Sequence, residues 1–329
     1  MKRIFVGIDI SKGWLDFIPM NDQVEILDKA RRVNNDIKGV NEMIQSLTKR
    51  YNQNDLWFCF EHTGNYGLLL SSILQSSELT YSAVPALEIK KSLGITRGKS
   101  DQVDARRIAE YAAIQKHKVK PSKLPSDELM KVKNLLTFRA QLIKTRTAFI
   151  NSIKSYREAE KVVDLSYITS DIEDKINLLD QDIKSVEREI SITIKQSEEL
   201  KNNYQLISSV RGIGQVIGAF LLVYTNNFTS FDNPRKFNCF TGLAPFESSS
   251  GITKGKTKTS VYRHKALKVL LFNGANSAIQ HDPQLKRYYQ RKKQEGKEHM
   301  TIINAIACKI IYRAFATINR QSPYVILAQ

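Results

Sequence analysis

Cysteine is scarce. The 329-residue chain has three, Cys59, Cys239 and Cys308, an odd number with no CxxC spacing and no Cys/His cluster. That pattern excludes a disulfide framework and a thiolate zinc site, and it suits a reducing compartment. Long apolar runs are also missing. The run Ile4–Ile8 is interrupted at Asp9, too early for a secretory leader, and no stretch has the length needed to cross a bilayer. The expectation is a cytoplasmic protein that acts on the nucleoid and has no membrane partner. There is no long internal repeat and no low-complexity tract. Acidic residues are in deficit: 33 Asp+Glu face 50 Lys+Arg, for a net charge of +17. A merely basic protein is the plain reading, but such an excess points to a polyanion, because displacing counterions from phosphates drives association.

What is present is an ordinary globular composition, 42% hydrophobic and 25% charged, over a length that usually divides into two or three domains. Ile4–Ile10 reads as a buried strand, Trp14–Ile18 as its hairpin partner, and Leu56–Phe60 as a second buried strand ending at Glu61. Helical spacing runs through Val40–Leu47, Tyr66–Leu74 and Asp104–Ala113, with a short strand at Thr80–Val84. This alternation indicates an α/β layer with a mixed sheet over residues 1–124. From Pro125 to about residue 200 the texture changes. Leu129, Val132, Leu136, Ile143 and Ile150 form one stripe, and Ile172, Ile176, Leu179, Ile183, Val186 and Ile190 alternate four- and three-residue steps. That is a coiled-coil seam, closing either within the chain or between two copies. Residues 201–329 read as mainly helical, with Val210-Arg211-Gly212-Ile213-Gly214 resembling a helix-hairpin-helix turn. There Gly212 and Gly214 would let backbone amides approach a phosphate, or would simply make a turn.

Asp9 and Glu61 stand at the ends of hydrophobic strands, where folding has no need of a charge. If those strands are neighbours, both carboxylates emerge at one sheet edge. Asp101 and Asp104 are three residues apart where a helix starts, so they face one way. Four clustered carboxylates repel one another unless a cation neutralises them, and hard oxygen ligands select Mg²⁺ or Mn²⁺. Two such ions can activate a nucleophile and stabilise a leaving oxygen in phosphodiester cleavage. Asp101 also suits a helix N-cap, Asp104 a first-turn acid, and Glu61 a strand-end ion pair. Lys90, Lys91, Arg97, Lys99, Arg106 and Arg107 bracket the last pair, as a phosphate groove requires. His62, beside the Thr63-Gly64 turn, reads as a loop residue.

Between Phe237 and Ser260, Gly242, Pro245 and Gly251 mark turns, and Lys254, Lys256 and Lys258 alternate into a basic strand or loop. A polar loop touching phosphates is one reading. A hydroxyl nucleophile among Ser248, Ser249 and Ser250 is the sharper one, because neighbouring cations stabilise charge developing on a phosphate.

Taken together, Gly7-Ile8-Asp9-Ile10-Ser11-Lys12, Glu61-His62-Thr63-Gly64 and Ser100-Asp101-Gln102-Val103-Asp104-Ala105 resemble the carboxylate motifs of the Piv-invertase-like DEDD transposases, the insertion-sequence one-ten family. Val210–Gly214, Gly242-Leu243-Ala244-Pro245 and Ser250-Gly251 extend the resemblance over essentially the whole chain. The resemblance implies an RNase H-like (RuvC-like) N-terminal domain, a coiled-coil segment and a mainly helical C-terminal transposase domain. It implies that Asp9, Glu61, Asp101 and Asp104 hold Mg²⁺ or Mn²⁺ and that Ser250 is a nucleophile forming a phosphoserine link to donor and target DNA. It further implies a structured guide RNA, a bridge between the two DNAs, and a dimer or tetramer. Lys99, Arg106, Arg107, Gly212, Gly214, Lys254, Lys256, Lys258, Arg263 and Lys265 are the candidate nucleic-acid contacts. Where the family shows a Lys-Arg-Gly-Asn-like turn, this chain has Val261-Tyr262-Arg263-His264-Lys265, with Arg263 and Lys265 keeping the charge. Competing readings are a Holliday-junction-type nuclease using the carboxylates alone, an actin-like ATPase built on Gly7–Ser11, and a non-catalytic nucleic-acid-binding protein. No later phosphate loop completes the ATPase pattern.

Overall fold

Strand β1 (Ile4–Ile10) sits at the centre of a five-stranded sheet. On one side it pairs antiparallel with β2 (Trp14–Asn21), which pairs antiparallel with β3 (Arg31–Asn34). On the other it pairs parallel with β4 (Leu56–Glu61), which pairs parallel with β5 (Thr80–Val84). The order β3-β2-β1-β4-β5 with these directions is that of an RNase H-like sheet. β1 reads as a continuous apolar run because both of its faces are covered. Val6, Ile8 and Ile10 pack with Met43 and Leu47 of α1 (Ile37–Thr48) and Leu70 and Leu74 of α2 (Leu68–Ser76). Phe5, on the opposite face, packs with Ile89 of α3 (Ala86–Ser92) and with Ala105, Ile108 and Ala109 of α4 (Asp101–Ile114).

This computed structural model describes residues 3–62, 64–92, 100–246, 249–250, 253–254, 258–259 and 263–325, with backbone alone at 249–250, 253–254 and 258. The chain divides into two units, Met1–Leu124 and Pro125–Gln329.

The second unit opens with two long helices, α5 (Asp127–Ala159) and α6 (Ser166–Gln196). Ion pairs Lys131–Glu189, Arg139–Glu187, Arg146–Asp180 and Arg157–Glu173 run in opposite senses along the two, so they form an antiparallel hairpin within one chain. The segment 125–200 is not a separate body. Leu129, Val132 and Leu136 of α5 and Val186, Ile190 and Ile194 of α6 share one core with the helices that follow. Those are α7 (Glu198–Ser208), α8 (Gln215–Tyr224), α9 (Pro234–Thr241), α10 (Lys265–His281), α11 (Pro283–Gln294) and α12 (His299–Arg320). Between α9 and α10 lie two strand pairs, β6 (Pro245–Phe246) with β9 (Lys258–Thr259), and β7 (Ser249–Ser250) with β8 (Thr253–Lys254).

One expectation needs correction. By length and composition alone, α12 is apolar enough to cross a bilayer. One face of it is core: Ile303, Ile306, Ala307, Ile310, Ile311 and Ala314 are wholly buried against the other helices of the unit.

The two glycines of the turn between α7 and α8 have different surroundings. Gly212 adopts φ +93°, and its backbone lies against Gly274 of α10; a Cβ on either glycine would collide with the other's carbonyl oxygen. Gly212 is thus explained by the close crossing of turn and helix rather than by an open phosphate cradle. Gly214, which precedes α8 with nothing crowding it, is the exposed member of the pair. Gly274→Ala is expected to lower the melting temperature by roughly 5 °C or more, since overpacking at a backbone contact costs about 1–3 kcal/mol; thermal unfolding followed by circular dichroism checks it.

Candidate active site

β1 and β4 are parallel neighbours in register Ile8↔Phe60, so Asp9 and Glu61 stand side by side one residue beyond the last pair. Asn35 ties the two strand exits together, donating from Nδ2 to Ser11 O at 3.0 Å and to Tyr66 O at 3.1 Å. Its Oδ1 is buried without a hydrogen-bond partner among the described residues, an acceptor of the kind that ordered water or a ligand usually satisfies.

The other two carboxylates arrive on α4. Ser100 caps this helix, its hydroxyl accepting from Val103 N at 3.3 Å, so the capping role open to Asp101 is already filled. What brings the helix start to Asp9 is Gly7. A Cβ at Gly7 would strike the carbonyl oxygen of Ala105, the amide nitrogen of Ala109 and the Ala109 methyl group. Only a glycine lets α4 lie on β1 this closely, and the small residues Ala105, Ala109 and Ala112 complete the contact.

Electrostatics register the result. Asp9 is raised from an ordinary carboxyl value to about 6, first by burial, then by Asp104, Asp101, Asp16 and Glu61. Asp9 therefore lies within electrostatic reach of the other three carboxylates identified from the sequence, and of Asp16. As the side chains stand, Arg32 bridges Asp16 and Asp101 at 2.8 Å each, and Arg107 holds Asp104 at 2.8 Å. Glu61 has no ion-pair partner among the described residues, so its reading as a strand-end salt bridge finds no support. Among the described residues, no group of three or more Asp, Glu, His or Cys stands close enough to grip an ion in this arrangement. The donor chemistry nevertheless fits a hard divalent cation: oxygen ligands alone, in excess charge, with two of them held by arginines that an ion would displace.

Asp16 and Arg32 were not legible as site residues. Asp16 lies opposite Asp9 on β2 and is 1% exposed; its oxygens accept three hydrogen bonds from Arg32 at 2.8–3.1 Å. The signal was an acid inside the apolar run Trp14-Leu15-Asp16-Phe17-Ile18. Arg32→Met is expected to lower the melting temperature by stranding a buried carboxylate, and Asp16→Asn added to it should recover most of the loss. A double-mutant cycle in thermal unfolding reads this coupling.

In the second unit, Ser249 and Ser250 pair with Lys254 and Thr253 in a short two-stranded ribbon. Ser248, Lys99 and Lys256 lie outside the described residues, and so do the side chains of Ser250, Lys254 and Lys258. Arg263 and Lys265 are exposed at the start of α10. Between them His264 caps the helix, Nδ1 accepting from Leu267 N at 3.1 Å, with its ring against Tyr224 at 4.3 Å. Burial lowers its proton affinity, which keeps Nδ1 available as the capping acceptor. This cap stands where the expected glycine turn is missing. Arg106 is paired with Glu110 at 2.8 Å on the outer side of α4.

Carboxylates at the ends of adjacent strands, in a chain of net charge +17, suit an enzyme that acts on nucleic acid. Residues 6–156 match a DEDD-type IS110 transposase domain, and residues 204–290 match the transposase family IS116/IS110/IS902. The chain belongs to that family of transposases. It is 29% identical to the pilin gene-inverting protein of Moraxella bovis, over 98% of each chain. It is 21% identical to an uncharacterized 42 kDa protein of insertion element IS900 from Mycobacterium paratuberculosis, over 98% of this chain and 97% of that one. The transposase of insertion element IS1111A from Coxiella burnetii is 25% identical over 57% of each. Among solved structures, T. thermophilus RuvC with a Holliday junction substrate is 13% identical, covering 36% of this chain and 99% of that one, at a TM-score of 0.27.

Proposed function

We propose that this transposase cuts and rejoins DNA through two chemical centres, a divalent-cation site at Asp9, Glu61, Asp101 and Asp104 and a nucleophilic serine at Ser250. The observation that carries the reading is the register that sets Asp9 beside Glu61 at the ends of β1 and β4, with the start of α4, which bears Asp101 and Asp104, packed on β1 at Gly7. Asp9 and Glu61 have no ion-pair partner among the described residues, and a divalent cation would supply one. Bound Mg²⁺ or Mn²⁺ would supply Lewis-acid polarisation of a phosphoryl oxygen and stabilise charge on the departing one.

The chain's own groups do the rest. Gly7 and Ser100 set the position of α4. Arg32 neutralises Asp16 and holds Asp101 in position at the start of α4. The Ser250 hydroxyl attacks phosphorus: its Oγ–P bond forms, the P–O bond to the departing sugar breaks, and that oxygen takes up the proton the serine gave up. The phosphoserine preserves the bond energy, so a second DNA hydroxyl can displace Ser250 and complete the exchange. Lys254, Lys256, Lys258, Arg263 and Lys265 supply positive charge at this centre.

Ser250→Ala is expected to abolish both recombination and a covalent DNA adduct, with Ser249→Ala retaining them. Unchanged cutting by Ser250→Ala would leave a carboxylate-only nuclease. The carboxylates and the serine belong to different units of the chain, and the reading includes an oligomer in which they cooperate. Mixing Asp9→Asn with Ser250→Ala protein therefore regains activity if the two centres come from different copies, and stays inactive if each site needs both from one chain. A structured guide RNA is part of the reading on the strength of the family resemblance and the +17 charge. Sequencing RNA that copurifies with the protein checks it, since loops pairing with the flanks of the encoding element are expected.

A further inference from the structure

The second unit holds a cavity of about 1050 Å³ that none of these roles uses, at the upper end of the roughly 300–1,000 Å³ typical of small-ligand sites. Its walls mix two chemistries. Phe272 and Tyr312 offer aromatic faces and Met300 a soft apolar one, while Lys268 and Lys309 supply positive charge; the described residues that line it include no carboxylate. Lys268 is fixed in place, its Nζ donating to Gly242 O at 2.7 Å and lying 5.4 Å from the centre of the Phe272 ring. Pro245 and Thr259, from the strand pair that flanks the Ser249–Ser250 ribbon in sequence, also line the cavity.

A second feature leads to it. α11 exposes Lys286, Arg287, Arg291 and Lys293 along twelve residues, with only Leu285 buried. Tyr288 joins helix to cavity: the Arg291 guanidinium lies 5.6 Å from the centre of its ring and Lys309 Nζ 4.6 Å. A cationic helix thus continues, through an aromatic ring, into a pocket with aromatic walls and fixed ammonium groups. Flat π surfaces beside lysines are what an unstacked nucleobase and its phosphate require, and a cationic strip is what a single-stranded backbone follows.

We propose that α11 and this cavity form a track for single-stranded DNA, with the cavity taking one unstacked nucleotide of the strand presented to the serine ribbon. The assignment of that strand rests on the proposed role of Ser250; the binding itself does not.

The test uses the full chain in EDTA and a fluorescent single-stranded DNA carrying 5-iodouracil. Crosslinks are expected to map to α10 and α12 residues of the cavity. Tyr312→Ala, at a half-exposed position, should raise Kd about tenfold, as loss of one base–aromatic stack does. Ala305→Trp, which fills the cavity, should move the crosslinks elsewhere. Replacing Lys286 and Arg287 by Glu should flatten the dependence of affinity on salt. Unchanged affinity in both Tyr312→Ala and Ala305→Trp, or crosslinks confined to other elements, overturns the track. Crosslinking of an RNA of the same sequence to the cavity, with none from DNA, overturns the assignment to the cut strand. Because EDTA removes any need for the carboxylates, DNA binding in the cavity without cutting on added Mg²⁺ would count against the proposed function and leave the track standing.

Discussion

Asp9→Asn is expected to reduce Mg²⁺-dependent DNA cleavage by about a thousandfold or more while making the metal-free protein more stable. The loss follows from removing the most central of the four candidate ligands: several kcal/mol of transition-state stabilisation depend on the cation, and each 1.36 kcal/mol is tenfold in rate. The gain follows from linkage. In the folded chain Asp9 is raised to about 6, against 3.8 for an ordinary carboxyl, so between these values the native state holds a proton that the unfolded state has released. Stability therefore falls as pH rises from about 4 to 6, and the full penalty persists above that. Asparagine has no charge to repel. At this half-exposed site, screening by water reduces the gain to roughly 1 kcal/mol at pH 7. Thermal melts in EDTA at pH 4.5 and pH 7 check the sign: wild type and variant should differ little at the lower pH, with the variant ahead at the higher. An acid serving only as a structural partner would instead lose stability when replaced.

Gly7→Ala is expected to be as damaging to activity, by a different route. The added Cβ meets backbone atoms of Ala105 and Ala109, which cannot rotate away as a side chain would. Either α4 lifts from β1 or the sheet distorts, at a cost of about 3 kcal/mol. For a unit of this size that lowers the melting temperature by roughly 10 °C. Whatever folded protein remains should cleave poorly, because Asp101 and Asp104 travel with the helix. Gly13→Ala, where nothing crowds the added methyl group, should leave the melting temperature almost unchanged. Second-order rate constants for cleavage measured well below the melting temperature separate misplacement from unfolding.

The pairing of Asp9 with Glu61 was legible because both end strands whose apolar runs are unmistakable, and the sheet makes those strands neighbours. Thr80–Val84 was equally plain. The start of α4 was readable to within three residues, but the identity of its cap depended on a hydroxyl, Ser100, that sequence alone ranks no higher than the adjacent acid. β3 was missed: Arg31-Arg32-Val33-Asn34 has no apolar alternation, since it lies at the sheet edge with every second residue exposed. With it went the Arg32–Asp16 bridge, a contact sixteen residues apart in sequence. α11 was missed for the same kind of reason, its face being cationic rather than periodic and apolar. Gly212 is a case that the sequence left open. A glycine-rich turn carries the same local signal whether it faces a phosphate or another backbone, and only the position of Gly274 distinguishes them.

The central claim is that the carboxylates and the serine act on the same DNA in sequence. Its most direct measurement is a denaturing gel of labelled donor DNA incubated with wild type, Asp9→Asn or Ser250→Ala protein, in Mg²⁺ or in EDTA. A protease-sensitive protein–DNA adduct is expected only for wild type in Mg²⁺. An adduct formed in EDTA, or by either variant, or efficient cutting by wild type without any adduct, would contradict it.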